Sequence, residues 1–243
     1  MAHADASGWL VLLDIDGTLV WRASKAHALA VVAAIHEVHG QLELQPVDAA
    51  GMTDRRIVRA MLRGAGMDDP AIDADMDWLL AIAARRYEEL CEPDLSHTVL
   101  DGIPELLDEL SGAPGVQLGL VTGNVESIAH RKLAAAGIAA PLLPFVGAYG
   151  SDAEDRDLLV PVAQERAGLL AGMLGRWPSE RTVVVGDTPH DISCARAAGA
   201  AVIAVTTGAY GADALTAADA VASDAVELRL ALARVGVLGA PIT

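Results

Sequence analysis

The sequence has 243 residues, enough to bury a large core and to hold one domain together with an inserted or appended second one. Hydrophobic residues make up 53% of the chain and charged residues 21%, and no 18 consecutive residues are apolar, so we expect no membrane protein. The formal net charge of −16 argues against a nucleic-acid binder, which needs a basic face to neutralise phosphates.

The start of the chain and its cysteines favour a cytoplasmic location. The first thirty residues lack a basic start, and Asp14 and Asp16 interrupt their apolar run, unlike a secretory signal. Cys91 and Cys194 lie far apart and give neither a disulfide framework nor a metal-ligand spacing. We therefore expect both thiols to stay reduced.

Apolar runs alternate with helix-like segments along most of the chain. The runs suit parallel strands buried on both faces and cover residues 9–14, 116–122, 182–187 and 201–205. Between them, helices are predicted over 102–111, 125–136, 157–171 and 189–198. This alternation predicts an α/β fold with a doubly wound parallel sheet, whose ligand site lies beyond the carboxyl ends of the strands.

Residues 21–97 break this alternation. They carry helical patterns over 23–39, 53–65 and 71–91, punctuated by glycine and proline, with no convincing strand. We interpret this stretch as an inserted α-helical cap domain. Residues 1–20 and 98–243 then form the α/β core domain.

Acidic and polar residues recur where predicted strands end. The first strand ends in Asp14 and Asp16, the second in Thr122, and a later one in Asp187, with Asp191 one turn further on. Two carboxylates ~4 Å apart repel by roughly 4 kcal/mol at an effective dielectric of about 20, so such a cluster favours a bound cation. Oxygen ligands of this kind are typical of Mg²⁺.

The order and spacing of these motifs resemble the haloacid dehalogenase superfamily of phosphatases. The motifs are Asp14-x-Asp16-Gly17-Thr18, Thr122-Gly123-Asn124 and Gly186-Asp187-Thr188-x-x-Asp191. The helical insertion between the first two resembles the cap of the phosphoglycolate phosphatase and β-phosphoglucomutase branch. The resemblance covers nearly the whole chain.

This resemblance implies a role for each motif. Asp14 would attack phosphorus as a nucleophile, and Asp16 would act as general acid and base. Asp14, the backbone carbonyl of Asp16, and Asp187 would hold Mg²⁺. The phosphoryl oxygens would be bound by Thr122 and by the amides of Gly123 and Asn124, at a helix N-terminus. Asp191 is expected to act near the metal without contacting it directly.

One motif of the family is missing. Relatives place a lysine before the helix that precedes the fourth strand, whereas "GSDAEDRDLLVPVA" contains none, and Arg156 is the nearest cation there. An arginine could hold both the nucleophile and a phosphoryl oxygen through its fork, although it is not interchangeable with lysine. Lys132 is the other candidate, but we expect it to be a surface lysine beside an acidic face. We therefore predict Arg156 as the catalytic cation.

Other interpretations stay open at this level. Asp14 and Asp16 could lie in a calcium loop, but Lys25 occupies the position of its bidentate glutamate. Arg55, Arg59 and Arg63 share one face of a cap helix and could bind a second anionic group of the substrate, although a solvated face that balances nearby acids is favoured.

The expected function is Mg²⁺-dependent hydrolysis of a small phosphomonoester through an aspartyl phosphate, as in phosphoglycolate phosphatases. A phosphomutase would use the same two acids, and a catalytically silent phosphate-ester binding protein is the alternative outside enzymes. The expected partner is a small phosphorylated metabolite, with no nucleic acid and no membrane. We expect a monomer or homodimer.

Overall fold

The computed structural model describes residues 8–23 and 25–239. Six strands and eight α-helices, joined by short 3₁₀ turns, make up the described chain. The strands are β1 (Trp9–Leu13), β2 (Val116–Val121), β3 (Gly147–Ala148), β4 (Thr182–Gly186), β5 (Ala201–Val205) and β6 (Ala220–Ala222). The helices are α1 (Lys25–His39), α2 (Asp54–Gly64), α3 (Asp69–Leu90), α4 (Ile103–Gly112), α5 (Glu126–Ala135), α6 (Leu159–Leu170), α7 (Pro189–Ala197) and α8 (Ala225–Arg234).

The strands form one parallel sheet in the order β3-β2-β1-β4-β5-β6. The four predicted strands are therefore confirmed as β1, β2, β4 and β5. The two edge strands, β3 and β6, and the last helix, α8, were not predicted. With two and three residues, the edge strands are too short to produce a recognisable apolar run.

Both faces of the sheet are buried, which explains the unbroken apolar runs. Along β1, Leu10 and Leu12 pack into one hydrophobic cluster, while Val11 and Leu13 pack into a second cluster on the opposite face. Side chains of a strand alternate between the two faces, so a strand covered by helices on both sides must be apolar throughout. The doubly wound α/β fold is thus the observed one.

Helices α1, α2 and α3 follow β1 without an intervening strand, and α1 packs along α3. The chain leaves and returns to the sheet at neighbouring points, where Val20 bridges Val99 and the Trp21 amide donates to the Thr98 carbonyl. This junction supports the insertion, and the division into residues 1–20, 21–97 and 98–243 stays a prediction. No helix in the described part of the chain is both long and apolar enough to cross a membrane.

Side-chain caps begin two helices of the insertion. The Thr53 hydroxyl accepts a hydrogen bond from the Arg56 amide at the start of α2, and the Asp68 carboxylate accepts one from Ala71 at the start of α3. Such side-chain caps satisfy amides that have no partner within the helix. The cap on α2 fixes where that helix meets the sheet domain, because the Thr53 hydroxyl also donates to the Glu154 carbonyl at 2.7 Å.

Candidate active site

The ends of β1, β2 and β4 lie side by side, because these three strands are adjacent in the sheet. Asp14 and Asp16 follow β1, Thr122 follows β2 and Asp187 follows β4. The sheet order thus brings together motifs that are separated by about 60 to 110 residues in the sequence. A cavity of about 410 Å³ opens between these strand ends and the helical insertion.

A cluster of buried carboxylates lies at the base of the site. Oxygens of Asp14, Asp187 and Asp191 all lie within 4.8 Å of one another. Burial raises the pKa of Asp14 to about 7, against the lowering effect of Arg156 and with a further rise from Asp191. Burial, reinforced by Asp14 and Asp191, raises the pKa of Asp187 to about 8. A cation among these carboxylates would relieve both costs.

The three acids differ in the hydrogen bonds and ion pairs that their carboxylate oxygens already make. Asp191 accepts hydrogen bonds from the Thr188 amide at 2.9 Å and the Thr188 hydroxyl at 2.7 Å, and it pairs with Arg156. Asp187 accepts a long hydrogen bond of 3.4 Å from Thr18. Asp14 and Asp187 are therefore the side chains best placed to hold a metal ion, and their all-oxygen chemistry fits Mg²⁺.

Glycines allow the backbone to pass close to Asp187. A Cβ atom on Gly208 would lie 1.6 Å from Asp187 Oδ2, and one on Gly17 would lie 2.3 Å from the same oxygen. Gly17 also has a φ angle of 87°, in the left-handed region that disfavours other residues. The Asp187 carboxylate is thus packed between two loops that can approach it this closely only because Gly17 and Gly208 have no side chain.

Asp16 is held by a different cation. Lys132 Nζ donates to the two carboxylate oxygens of Asp16 at 2.8 and 2.6 Å and to Asn124 Oδ1 at 2.7 Å. Burial raises the pKa of Asp16, but the charge and hydrogen bonds of Lys132 outweigh it, and the pKa falls to about 2. Asp16 is thus a carboxylate in this arrangement.

The expectation that Lys132 is a surface lysine is wrong, because its side chain is fully buried. Lys132 lies on α5, which begins at Glu126, shortly after β2 ends at Val121. Its long side chain runs back from the helix to Asp16 and Asn124, as the direction of helical side chains favours. The lysine therefore contributes a positive charge to the candidate active site.

Arg156 contacts the acid cluster directly. Its Nη2 lies 3.3 Å from Asp14 Oδ1 and also contacts Asp191, while its Nη1 donates to the Gly51 carbonyl at 3.1 Å. The guanidinium is buried, and among the described residues its Nε has no hydrogen-bond partner. The contact with Asp14 is the one expected for the catalytic cation. The catalytic role of Arg156 stays a prediction.

The predicted phosphate-binding residues occupy the loop between β2 and α5. Asn124 Nδ2 donates to Thr122 Oγ1 and to Asp16 Oδ2, both at 2.9 Å, and the Asn124 amide lies 3.4 Å from Thr122 Oγ1. Gly123 and Asn124 line the cavity. Helix α5 starts only at Glu126, so these three residues precede the helix and do not form its first turn. Their binding of phosphate stays a prediction.

Two cavity residues were not found from the sequence. Asp54 Oδ2 accepts a hydrogen bond from the Val125 amide at 2.7 Å, and His27 Nε2 lies within hydrogen-bonding distance of the same oxygen, at 3.0 Å. Asp54 falls in the helix predicted over 53–65 and His27 in the helix predicted over 23–39, and neither has a signal in the sequence that distinguishes it. Together they link α1 and α2 of the insertion to the loop that carries Asn124.

The three arginines of α2 are paired with acids. Arg55 contacts Asp77, Arg63 contacts Asp69 at 2.7 Å, and Arg59 Nε lies 2.8 Å from Glu154. This agrees with the interpretation of an arginine face that balances nearby acids. The cavity wall is built from other residues of α2.

Residues 10–199 match the family model of the haloacid dehalogenase-like hydrolases. The chain belongs to this family. The match spans the strand ends that carry Asp14, Thr122 and Asp187, and also the whole helical insertion.

Relatives of this hydrolase include phosphatases. The phosphoglycolate phosphatase of Rhodospirillum rubrum is 29% identical over 209 residues, which cover 82% of this chain and 79% of that protein. The probable phosphatase IndB of Dickeya dadantii is 30% identical over 220 residues, 86% of each chain. The structure of CbbY from Rhodobacter sphaeroides in complex with phosphate aligns with a TM-score of 0.65 at 16% identity, covering 91% of this chain and 96% of that one, which supports the fold. The chain is thus a haloacid dehalogenase-like phosphatase.

Proposed function

We propose that this phosphatase hydrolyses a small phosphomonoester with Mg²⁺ through a covalent phosphate ester on Asp14. The observation that carries the proposal is the pairing of two adjacent acids with two different cations, Asp14 with Arg156 and Asp16 with Lys132. A site that only bound phosphate would not need two carboxylates facing the ligand, since each repels the anion.

The first step transfers the phosphoryl group to the protein. A carboxylate oxygen of Asp14 attacks phosphorus, the bond from phosphorus to the ester oxygen breaks, and that oxygen takes a proton from Asp16. Because Lys132 holds the pKa of Asp16 at about 2, Asp16 needs the negative charge of the arriving phosphate to raise its pKa before it carries this proton.

The second step returns the enzyme to its starting state. The Asp16 carboxylate takes a proton from water, whose oxygen attacks phosphorus as the bond to Asp14 breaks. Phosphate then leaves, its negative charge no longer raises the pKa of Asp16, and Asp16 releases the proton to solvent and is again a carboxylate paired with Lys132. Mg²⁺ bound by Asp14, the backbone carbonyl of Asp16, and Asp187 would neutralise charge on the transferring group.

Arg156 and the loop after β2 have the complementary task of holding the phosphoryl oxygens. Arg156, Gly123 and Asn124 line the cavity together with Asp14, and Thr122 Oγ1 is held by Asn124 next to them. Donors fixed before the reaction stabilise the developing charge without reorganisation. The R. rubrum relative is named for phosphoglycolate, so phosphoglycolate belongs among the first esters to test.

The decisive experiment replaces the nucleophile. Asp14→Asn keeps the size of the side chain but removes its nucleophilic oxygen, so turnover of p-nitrophenyl phosphate should fall by several orders of magnitude. Asp213→Asn, at an exposed position in a 3₁₀ turn, is the matched control and should keep full activity. Labelled phosphate should remain on the wild-type chain after acid quenching. Near-normal turnover by Asp14→Asn would overturn the covalent mechanism.

The metal is tested separately. Dialysis against EDTA should abolish turnover and added Mg²⁺ should restore it, and Mg²⁺ should raise the melting temperature because it binds only the folded state. Full activity in excess EDTA would overturn the metal site and leave the nucleophile untouched. Release of free phosphate, rather than transfer to a second position of the substrate, separates a phosphatase from a phosphomutase.

A further inference from the structure

The cavity has one acidic wall and one apolar wall. The acidic wall is the cluster at the strand ends, whereas the wall supplied by the helical insertion is dominated by hydrophobic side chains. Six of them are Trp21, Val31, Val47, Met52, Ile57 and Met61. The leaving group of a phosphoester attacked by Asp14 would lie against this second wall.

Helix α2 shows how this wall comes to be apolar. Ile57 and Met61 are one turn apart, line the cavity and are only partly buried, so their free surface faces the cavity space. Arg59, on another face of the same helix, is tied to Glu154 at 2.8 Å and to Asp73. The helix therefore presents hydrocarbon to the cavity, while Arg55, Arg59 and Arg63 are paired with acids and do not line it.

The ionisable groups in this wall do not form a site for a second anion. His27 is held by Asp54 at 3.0 Å, and Asp54 brings a buried carboxylate to the cavity. Arg22 lines the cavity but is exposed to solvent, where a single ion pair contributes little binding free energy. A carboxylate on the leaving group would meet apolar side chains and the negative charge of Asp54.

We infer that the substrate is a phosphomonoester whose leaving group is uncharged and predominantly apolar, an inference that rests on the proposed phosphatase function. The cavity volume of about 410 Å³ lies within the range of small-molecule sites and exceeds what a phosphoryl group alone would fill. Each methylene transferred from water to such a wall favours binding by about fourfold.

The test compares esters that differ only in their apolar surface. Ethyl, butyl and hexyl phosphate have leaving groups of nearly equal basicity, so differences in kcat/KM report contacts with the wall rather than the chemical step. With Mg²⁺ present, kcat/KM should rise by up to about sixteenfold for each pair of added methylenes until the cavity is filled. Phosphoglycolate should be hydrolysed with a lower kcat/KM than ethyl phosphate.

Variants assign the effect to the wall. Met61→Gln keeps the length of the side chain and its helix propensity but makes it polar, and it should lower the ratio of butyl to ethyl kcat/KM by about fourfold. Ile57→Thr, which keeps the branched shape, should act in the same direction. Leu169→Gln, at an exposed position on α6, is the control and should leave the ratio unchanged. Melting curves establish that each variant is folded.

The outcomes separate this inference from the proposed function. Turnover of p-nitrophenyl phosphate together with a flat alkyl series, or with phosphoglycolate as the best ester, overturns the inference and leaves the phosphatase mechanism standing. Release of phosphate from none of the esters overturns the mechanism and the inference together. A rising series that the two wall variants flatten and the control does not flatten supports it.

Discussion

Removing the Arg156 guanidinium should destabilise the fold and disable the site. Its Nη2 lies 3.3 Å from Asp14, an attraction of roughly 5 kcal/mol at an effective dielectric of about 20. The carboxylates of Asp14, Asp187 and Asp191 lie within 4.8 Å of one another, so each ionised pair repels by at least roughly 3.5 kcal/mol. The carboxylates can take up protons when the guanidinium is gone, so the net loss is smaller than the sum, about 3 to 5 kcal/mol.

The assay is urea unfolding of Arg156→Met in EDTA at neutral pH, beside the wild type and Arg156→Lys. The lysine variant keeps the charge but not the fork that joins Asp14, Asp191 and the Gly51 carbonyl, so we expect an intermediate loss. Mg²⁺ should restore part of the stability of Arg156→Met by supplying a cation.

Activity should fall in parallel with stability. A loss of ~2 to 5 kcal/mol at the transition state corresponds to roughly thirty- to several-thousand-fold in kcat/KM for Arg156→Met. A loss of stability below about 1 kcal/mol, with kcat/KM within a few-fold of the wild type, would refute the view that this guanidinium balances the acid cluster.

Three further variants test the other buried contacts. Lys132→Met should lower the unfolding free energy by about 2 kcal/mol or more at neutral pH. The net lowering of the pKa of Asp16 from 3.8 to about 2 corresponds to about 2 kcal/mol, and burial of Asp16 opposes the effect of Lys132 within that net value. Unchanged urea stability would contradict this prediction. Asp54→Asn should weaken the hydrogen bond that the Asp54 carboxylate accepts from the Val125 amide, at a cost of about 1 kcal/mol. Because that bond positions the loop that carries Asn124, we expect kcat/KM to fall about fivefold by a rise in KM. An effect on kcat alone would contradict the positioning role of Asp54. Burial lowers the pKa of His130 from 6.5, so below that pH the unfolded chain binds more protons than the folded one and the unfolding free energy falls. His130→Gln should therefore lose less unfolding free energy than the wild type between about pH 8 and pH 5.5. An equal loss in both proteins would contradict this prediction.

The sheet could be predicted from the sequence because its central strands are unambiguous. Leu10 to Leu13 are apolar without interruption and stop at Asp14, and a run this short that ends at a polar residue favours a strand covered on both faces. The edges could not be predicted, because β3 and β6 owe their hydrogen bonds to the neighbouring strands rather than to any pattern of their own. Their position depends on the finished sheet.

The candidate site was predictable where residue type alone determines the chemistry. Asp14, Asp16 and Asp187 stand directly after strands, and parallel strands bring their ends together. His27 and Asp54 were missed because their contact joins two helices of the insertion, and a single histidine within a helical pattern gives no sign of its neighbours. Such pairs become visible only when the packing of α1, α2 and the loop after β2 is known.

Lys132 and Arg156 pair with different acids, although the sequence suggested that only one of them takes the place of the missing lysine. In the sequence, Arg156 and Lys132 appear as competitors for the place of one missing lysine. In the structure they arrive from different elements, Lys132 from α5 and Arg156 from the turn before α6, and each holds a different acid. They are therefore not alternatives for one place, because each pairs with a different one of two acids that lie two residues apart. The loss of either cation should therefore impair a different step of the proposed reaction: attack by Asp14 in one case, and proton transfer by Asp16 in the other.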